Sequence, residues 1–263
     1  MKNISNRLNK ILNDKIHGSS ELANLLNEYF LSIRTKPTQI KESIRLVQKK
    51  LGHFEVINFY LNNLKSILNK KDKNALTEFL KEYVQKENKK VESICNKIYP
   101  KVKYFRTIIT LSRSKTVIDV LKFWYKKNKK LKVVICESRP KYEGRLTASE
   151  LIKVGIKVEL ITDSMMGIIV PRIDAAIVGA DSVLKNGNVI NKVGSKALAL
   201  LCREYKKPFY VVTTKSKISN RKSFKQKTES PKEVLSKSLK NLVITNIYFE
   251  EIEKKLITKT FTD

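Results

Sequence analysis

The chain has 263 residues, enough for one large domain or two small ones with a real core. Lys and Arg number 54 against 25 Asp and Glu, a formal net charge of +29, but 41% hydrophobic residues exclude a disordered chain, and 8 Gly with 6 Pro exclude collagen-like or mucin-like stalks. Three cysteines with no C-x-x-C spacing exclude a disulfide framework and point to a reducing compartment.

From the N-terminus, Met1 to Asp14 is polar and lacks the apolar centre of a signal peptide. No apolar run approaches the ~20 residues of a membrane span, so the expectation is a soluble, cytoplasmic chain without membrane association. The charge is spread: residues 1–105 carry 21 basic and 10 acidic side chains, residues 106–263 carry 33 and 15. The denser stretches are Lys126–Lys130 and Lys215–Lys232. A diffuse lysine excess reads as a solvated surface, and association with RNA stands as an unspecific alternative.

Up to about Pro100 apolar residues recur at helical spacing. Leu22, Leu25, Leu26, Tyr29, Phe30 and Ile33 form one stripe, and Val56 through Leu68 form a second. A third begins at Leu76, Phe79 and Leu80 and extends through Val91, Ile94 and Ile98. Pro37-Thr38 marks a helix start. Residues 1–105 therefore read as a helical domain, helix packed on helix.

Residues 106–263 change texture. Candidate strands are Thr107–Leu111, Lys132–Cys136, Lys157–Ile161, Ala175–Gly179, Pro208–Val212 and Leu242–Ile247. Helical patterns at Lys115–Lys126, Thr147–Val154 and Ser195–Lys206 separate them, with Gly155 as a helix-ending residue. Val- and Ile-rich runs between helices indicate a mostly parallel sheet buried on both faces. Asn186-Gly187 signals a hairpin turn. The fold class is α/β: an N-terminal helical domain followed by a Rossmann-like domain, with ligands expected beyond the carboxyl ends of the strands.

At that edge, Thr110-Leu111-Ser112-Arg113-Ser114-Lys115 offers hydroxyls and a helix start to a phosphate, with a plain Ser N-cap as the alternative. Arg139 and Arg145, in a loop punctuated by Pro140 and Gly144, suit an anion. Gly179-Ala180-Asp181 adds a carboxylate, and Asn191, Lys192 and Lys217 add polar groups. No dinucleotide or P-loop glycine pattern and no His/Cys metal spacing is present, so no cofactor and no metal are expected. His17 and His53 read as surface or helix-end residues.

The succession Glu137-Ser-Arg-Pro, Glu143-Gly-Arg145, Gly179-Ala-Asp181, Asn186-Gly187, Asn191-Lys-Val-Gly194-Ser195 and Pro208-Phe-Tyr-Val-Val212 resembles the translation initiation factor 2B alpha/beta/delta family. That family includes ribose-1,5-bisphosphate isomerase and, more distantly, methylthioribose-1-phosphate isomerase. The ending Asn246-Ile-Tyr-Phe-Glu250 and Leu256-Ile-Thr258 is similar to its C-terminal segment. The resemblance implies that Asp181 stands at the isomerases' catalytic aspartate, while Ser112 replaces their cysteine. A serine hydroxyl is a far weaker acid than a thiol, so Ser112 is expected to be inactive. It further implies that His17-Gly18-Ser19-Ser20 stands where the isomerases carry an Arg-Gly substrate loop, and Lys36 where they carry an arginine. Asn191, Lys192 and Lys217 match their sugar-phosphate contacts. These departures place the chain with the non-catalytic, initiation-factor-like branch: a regulatory subunit that binds a phosphorylated small molecule. The implied partners are further copies of the chain, as a homodimer or larger homo-oligomer, and an initiation factor 2 subunit. The alternative is an isomerase converting ribose 1,5-bisphosphate to ribulose 1,5-bisphosphate through Asp181.

Overall fold

The computed structural model describes residues 5–14, 16–70, 72–237 and 239–263, so the first four residues of the polar N-terminus lie outside the described residues. The chain divides into two compact units, Met1–Lys90 and Val91–Asp263. The division falls inside one long helix.

The first unit is built from α1 (Asn6–Leu12), α2 (Ser19–Ser32), α3 (Pro37–Leu51), α4 (Glu55–Asn69) and the first half of α5 (Lys73–Val102). Leu22, Leu26, Phe30, Ile57, Leu61 and Leu64 are fully buried in one core, as the stripes on α2 and α4 require. Ile40, Ile44 and Val47 of α3 join them, as do Leu8, Ile11 and Leu12 of α1, an amphipathic turn hidden in a polar-looking segment. Buried polar groups are satisfied: Asn27 Nδ2 donates to the Leu80 carbonyl at 2.8 Å, and the Tyr60 hydroxyl donates to Asn27 Oδ1 at 3.1 Å. Pro37 sits in the first turn of α3, where its missing N–H costs nothing. The third stripe lies on α5, with Leu76 and Leu80 in the first unit's core and Ile94 and Ile98 in the second's, and Pro100 falls in the last turn of the helix.

The second unit holds β1 (Thr107–Leu111), α6 (Lys115–Lys127), β2 (Lys132–Cys136), α7 (Glu143–Ile152), β3 (Lys157–Ile161), α8 (Met166–Ile169), β4 (Ala175–Val178), β5 (Ser182–Val183), β6 (Val189–Lys192), α9 (Ser195–Glu204), β7 (Phe209–Val212), β8 (Phe249–Ile252) and β9 (Lys259–Phe261). Six strands form one sheet in the order β3-β2-β1-β4-β7-β9, every pair parallel. Alternate strand residues feed two cores. Ile108, Val133, Ile135 and Ile177 pack with the end of α5, α6 and α7; Ile109, Val134, Val178 and Val211 pack with α8 and α9. Both faces of β1, β2, β4 and β7 are covered, which is why these strands read as continuous apolar runs, whereas the edge strand β3 is buried only at Ile161.

The order reverses direction between β1 and β4, the switch point where open α/β sheets leave a crevice. A second, antiparallel sheet, β5-β6-β8, contains the hairpin, and Gly187 occupies the left-handed conformation its turn needs (φ 85°). One expectation fails. Residues 242–247 make no strand, contributing a single bridge between Thr228 and Ile247; the pairing strand is β8, and the sixth strand of the main sheet is the C-terminal β9. In the Leu242–Ile247 run Leu242 and Val243 are exposed, so its apolar character came from a loop surface and not from a buried strand. Among the described residues, no helix is long and apolar enough to cross a membrane.

Candidate functional site

The site lies at the carboxyl edge, centred on the switch point. The end of β4 and the start of α6 approach so closely that a Cβ on Gly179 would stand 2.4 Å from Ser114 Oγ. Ser114 is the N-cap of α6 and accepts from the Val117 N–H, the plain capping role weighed for this segment.

Three non-glycine residues with positive φ cluster in the loops beside it: Ser112 (61°), Ser138 (65°) and Tyr142 (59°). Such backbone costs of order 1–3 kcal/mol per residue and persists where surrounding bonds over-determine it. Here they do. Ser112 N–H donates to Ser138 Oγ at 2.6 Å, and the Thr147 hydroxyl donates to the Ser112 carbonyl at 2.9 Å. Asp163, just past β3, takes the Ser138 and Arg139 N–H groups on its two oxygens at 2.9 and 2.8 Å. The loop after β2 is thus held as a fixed arch over the end of β1.

That arch carries the cations. Tyr142 is a platform for both arginines, with the Arg139 and Arg145 guanidinium carbons 5.0 and 3.9 Å from its ring centroid. Arg139 also donates to the Tyr142 hydroxyl at 2.7 Å and to the Val234 carbonyl at 3.0 Å, whereas Arg145 pairs with Glu137 at 2.7 Å. Tyr248 is a second platform. Lys192 Nζ lies 4.5 Å from its centroid and Lys141 Nζ 5.7 Å. The Tyr248 hydroxyl donates to Glu233, which pairs with Lys141 at 3.1 Å.

Lys192 and Lys217 are buried, and each ammonium is anchored. Lys192 Nζ donates to Glu143 Oε1 at 2.7 Å, and Lys217 Nζ donates to the Ala180 carbonyl at 2.8 Å, beside Asp181. Asp181 is half-buried, its N–H bonded to the Ile190 carbonyl at 2.8 Å. Asn191 turns inward: its Nδ2 donates to Ser195 Oγ at 2.9 Å and so ties β6 to the start of α9. Glu143 Oε2 is buried with no hydrogen-bond partner among the described residues.

Sequence reasoning named Ser112, Arg139, Arg145, Asp181, Asn191, Lys192 and Lys217, and all lie in the second unit, at or just beyond strand ends of this edge. It missed the supporting residues Glu143, Tyr142, Tyr248, Glu233 and Asp163, which no periodicity or spacing marks. His17, Gly18, Ser19, Ser20 and Lys36 belong to the helical unit. There Asp14 accepts from the His17 N–H at 2.9 Å, the Gly18 N–H is held by Glu21 at 3.1 Å, Ser19 is buried at the start of α2, and Lys36 is the exposed N-cap residue of α3. Cys136, the nearest thiol to Ser112 along the sheet, is buried at the β2 register position opposite Leu111, and burial pushes it up to about 12.

Comparison with known proteins agrees with this fold. The profile of the Initiation factor 2 subunit family matches residues 4–263. A Pyrococcus furiosus protein described as translation initiation factor eIF-2B subunit 2-like is 32% identical over 207 residues, covering 78% of this chain and 75% of that one. The ribose 1,5-bisphosphate isomerase of Methanocaldococcus jannaschii is 29% identical over 270 residues, covering 97% and 88%. The crystal structure of the Pyrococcus horikoshii translation initiation factor eIF-2B superposes with a TM-score of 0.81 at 25% identity, covering 98% of this chain and 96% of that one. With both named kinds of relative matched over most of its length, the chain belongs to the Initiation factor 2 subunit family.

Proposed function

We propose that the chain is a cytoplasmic, initiation-factor-2B-like regulatory subunit that binds a phosphorylated sugar or nucleotide at the carboxyl edge without transforming it. The observation that carries this reading is the Lys192–Glu143 pair: a buried ammonium beside a buried carboxylate oxygen that lacks a donor. A ligand with both a phosphoryl group and a hydroxyl answers both needs, since the anion takes Lys192 and a hydroxyl donates to Glu143 Oε2. A bare anion satisfies only the first.

Chemistry argues against turnover. Moving a proton between adjacent sugar carbons requires two groups that exchange protons near neutral pH. Asp181 stands at the position of the isomerases' aspartate. Ser112, with its hydroxyl acidity far out of range, does not supply the other, and Cys136 is buried with its thiol pushed up to about 12. The isomerase reading rests on Asp181 beside Lys217 and on the close approach of Gly179, after β4, to Ser114 at the start of α6.

Self-association is supported by the outer edge of the sheet. There β3 is unpaired on one side within the unit, and Leu160, Met165 and Ile168 on and after it are exposed. Contact with an initiation factor 2 subunit rests on the family relationship.

The test is to incubate pure protein with ribose 1,5-bisphosphate and follow both thermal stability and product. Stabilisation without conversion supports a binding protein. Conversion that Asp181→Asn abolishes establishes the isomerase instead.

A further inference from the structure

The opposite end of the sheet carries a surface that the proposed ligand site does not use. In a parallel sheet all amino ends lie together, and the strands' five residues at about 3.3 Å each put that edge ~16 Å from the carboxyl edge. Two segments meet there: the turn from α5 into β1 and the turn from α6 into β2. Asn128 Nδ2 donates to the Lys103 carbonyl at 3.4 Å, and the Lys132 N–H donates to the Arg106 carbonyl at 2.7 Å, so the turns form one surface.

Lysines and aromatic rings are interleaved across it. Lys103 Nζ lies 4.8 Å from the Tyr104 ring centroid, and Lys129 Nζ lies 4.2 Å from that of Tyr125. Lys127 Nζ stands over both Tyr99 and Phe123, at 5.5 and 5.0 Å, and those two rings meet edge to face. Tyr104 is 83% exposed, an unusual position for a large aromatic side chain that no core contact demands. The carboxylates touching this surface are committed. Glu159 pairs with Lys132, and Asp174 accepts from the N–H groups of Arg106 and Thr107.

We propose that this amino-edge surface binds single-stranded nucleic acid. The lysines would neutralise successive phosphates, and the exposed face of Tyr104 would stack an unpaired base. An acidic peptide would use the lysines but leave the ring without a role, and a duplex would offer no free base face. Within the lysine stretch 126–130, Lys127 and Lys129 thus stand over rings, at the end of the sheet opposite the Tyr142 and Tyr248 platforms.

Fluorescence anisotropy tests it, using a labelled mixed-sequence 12-nucleotide RNA and the DNA of the same sequence. The expected result is binding of either single strand at low salt that weakens steeply as salt rises. The same duplexed sequence should bind more weakly, because its bases offer no free face to Tyr104. Tyr104→Ala should weaken single-strand binding about tenfold while Tyr104→Phe retains it, because stacking needs the ring and not the hydroxyl. The double variant Lys127→Glu/Lys129→Glu should abolish it, whereas Lys225→Glu/Lys227→Glu, an equal charge reversal elsewhere, should cost far less. Thermal melts of each variant separate lost binding from lost fold. No retention at low salt, equal loss from both double variants, or indifference to Tyr104→Ala would overturn the proposal.

Discussion

Lys192 Nζ and Glu143 Oε1 stand 2.7 Å apart, joining the end of β6 to the start of α7 across the candidate site, with the two side chains only 4% and 18% exposed. Removing one member of such a pair strands the other charge. Glu143→Gln should therefore cost about 3 kcal/mol, read as a lowered melting temperature. The same change frees Lys192 for an external anion. Added inorganic phosphate, which needs Lys192 alone, should then raise the melting temperature of Glu143→Gln by more than that of the unaltered protein, while Lys192→Met should lose the response.

Backbone proximity at the site makes a sharper contrast between two glycines. A Cβ at Gly144 would lie 1.9 Å from the Cys136 carbonyl oxygen, and the main chain of the arch has nowhere to move. Gly144→Ala should cost roughly 2–3 kcal/mol by overpacking. Gly167, on the short α8, has nothing within 4 Å of a Cβ, so Gly167→Ala should be neutral or stabilise by up to about 1 kcal/mol. Paired denaturant titrations measure both.

The loop that follows β7 is fastened by Glu233, and its fastening is pH-dependent. Burial disfavours ionisation of Glu233, but hydrogen bonds from Tyr248 and Lys141 outweigh it and hold the carboxyl below its ordinary value. The Tyr248 hydroxyl is pushed upward, first by burial and then by its bond to Glu233. A depressed carboxyl contributes stability that is complete above the unfolded value near about 4.3 and lost as pH falls through the folded one. A raised phenol contributes stability that is complete below about 10 and lost as pH rises through its folded value. Glu233→Gln should accordingly flatten the decline of melting temperature between about pH 5 and about pH 3. Protection from hydrogen exchange over residues 231–237, relative to the intrinsic rate at each pH, should fall in the same window for the unaltered protein only.

The three cysteines offer a clean background for probing Ser112. Cys95, Cys136 and Cys202 are all buried, and burial pushes each thiol up to about 12. The native protein should react negligibly with a thiol reagent at neutral pH and fully once unfolded. Ser112→Cys should introduce a single reactive thiol at the half-buried site, and sugar phosphate should slow its labelling. Equal labelling with and without ligand would place the ligand elsewhere.

Much of this was legible because periodicity reports burial. The runs at Thr107–Leu111 and Lys132–Cys136 coincide with β1 and β2 because strands covered on both faces have no polar side to show. The stripes of α2 and α4 are likewise set by one buried face. Leu242–Ile247 misled for the complementary reason: an apolar run is ambiguous when exposed loop residues such as Val243 supply it. At the site, Lys192 and Lys217 could be named from their place after strands. Tyr248 and Glu233 could not, since their role arises from residues meeting across the long loop, 15 positions apart in sequence. Glu143 stood in plain view, but its bond to Lys192 spans 49 residues.

The most direct test of ligand binding without catalysis is a calorimetric titration with ribose 1,5-bisphosphate, with the mixture recovered and its phosphorus spectrum recorded. The expected result is saturable binding that Lys192→Met removes, with the sugar phosphate recovered unchanged. Conversion to ribulose 1,5-bisphosphate that disappears in Asp181→Asn, or binding that is indifferent to Lys192→Met, would contradict it.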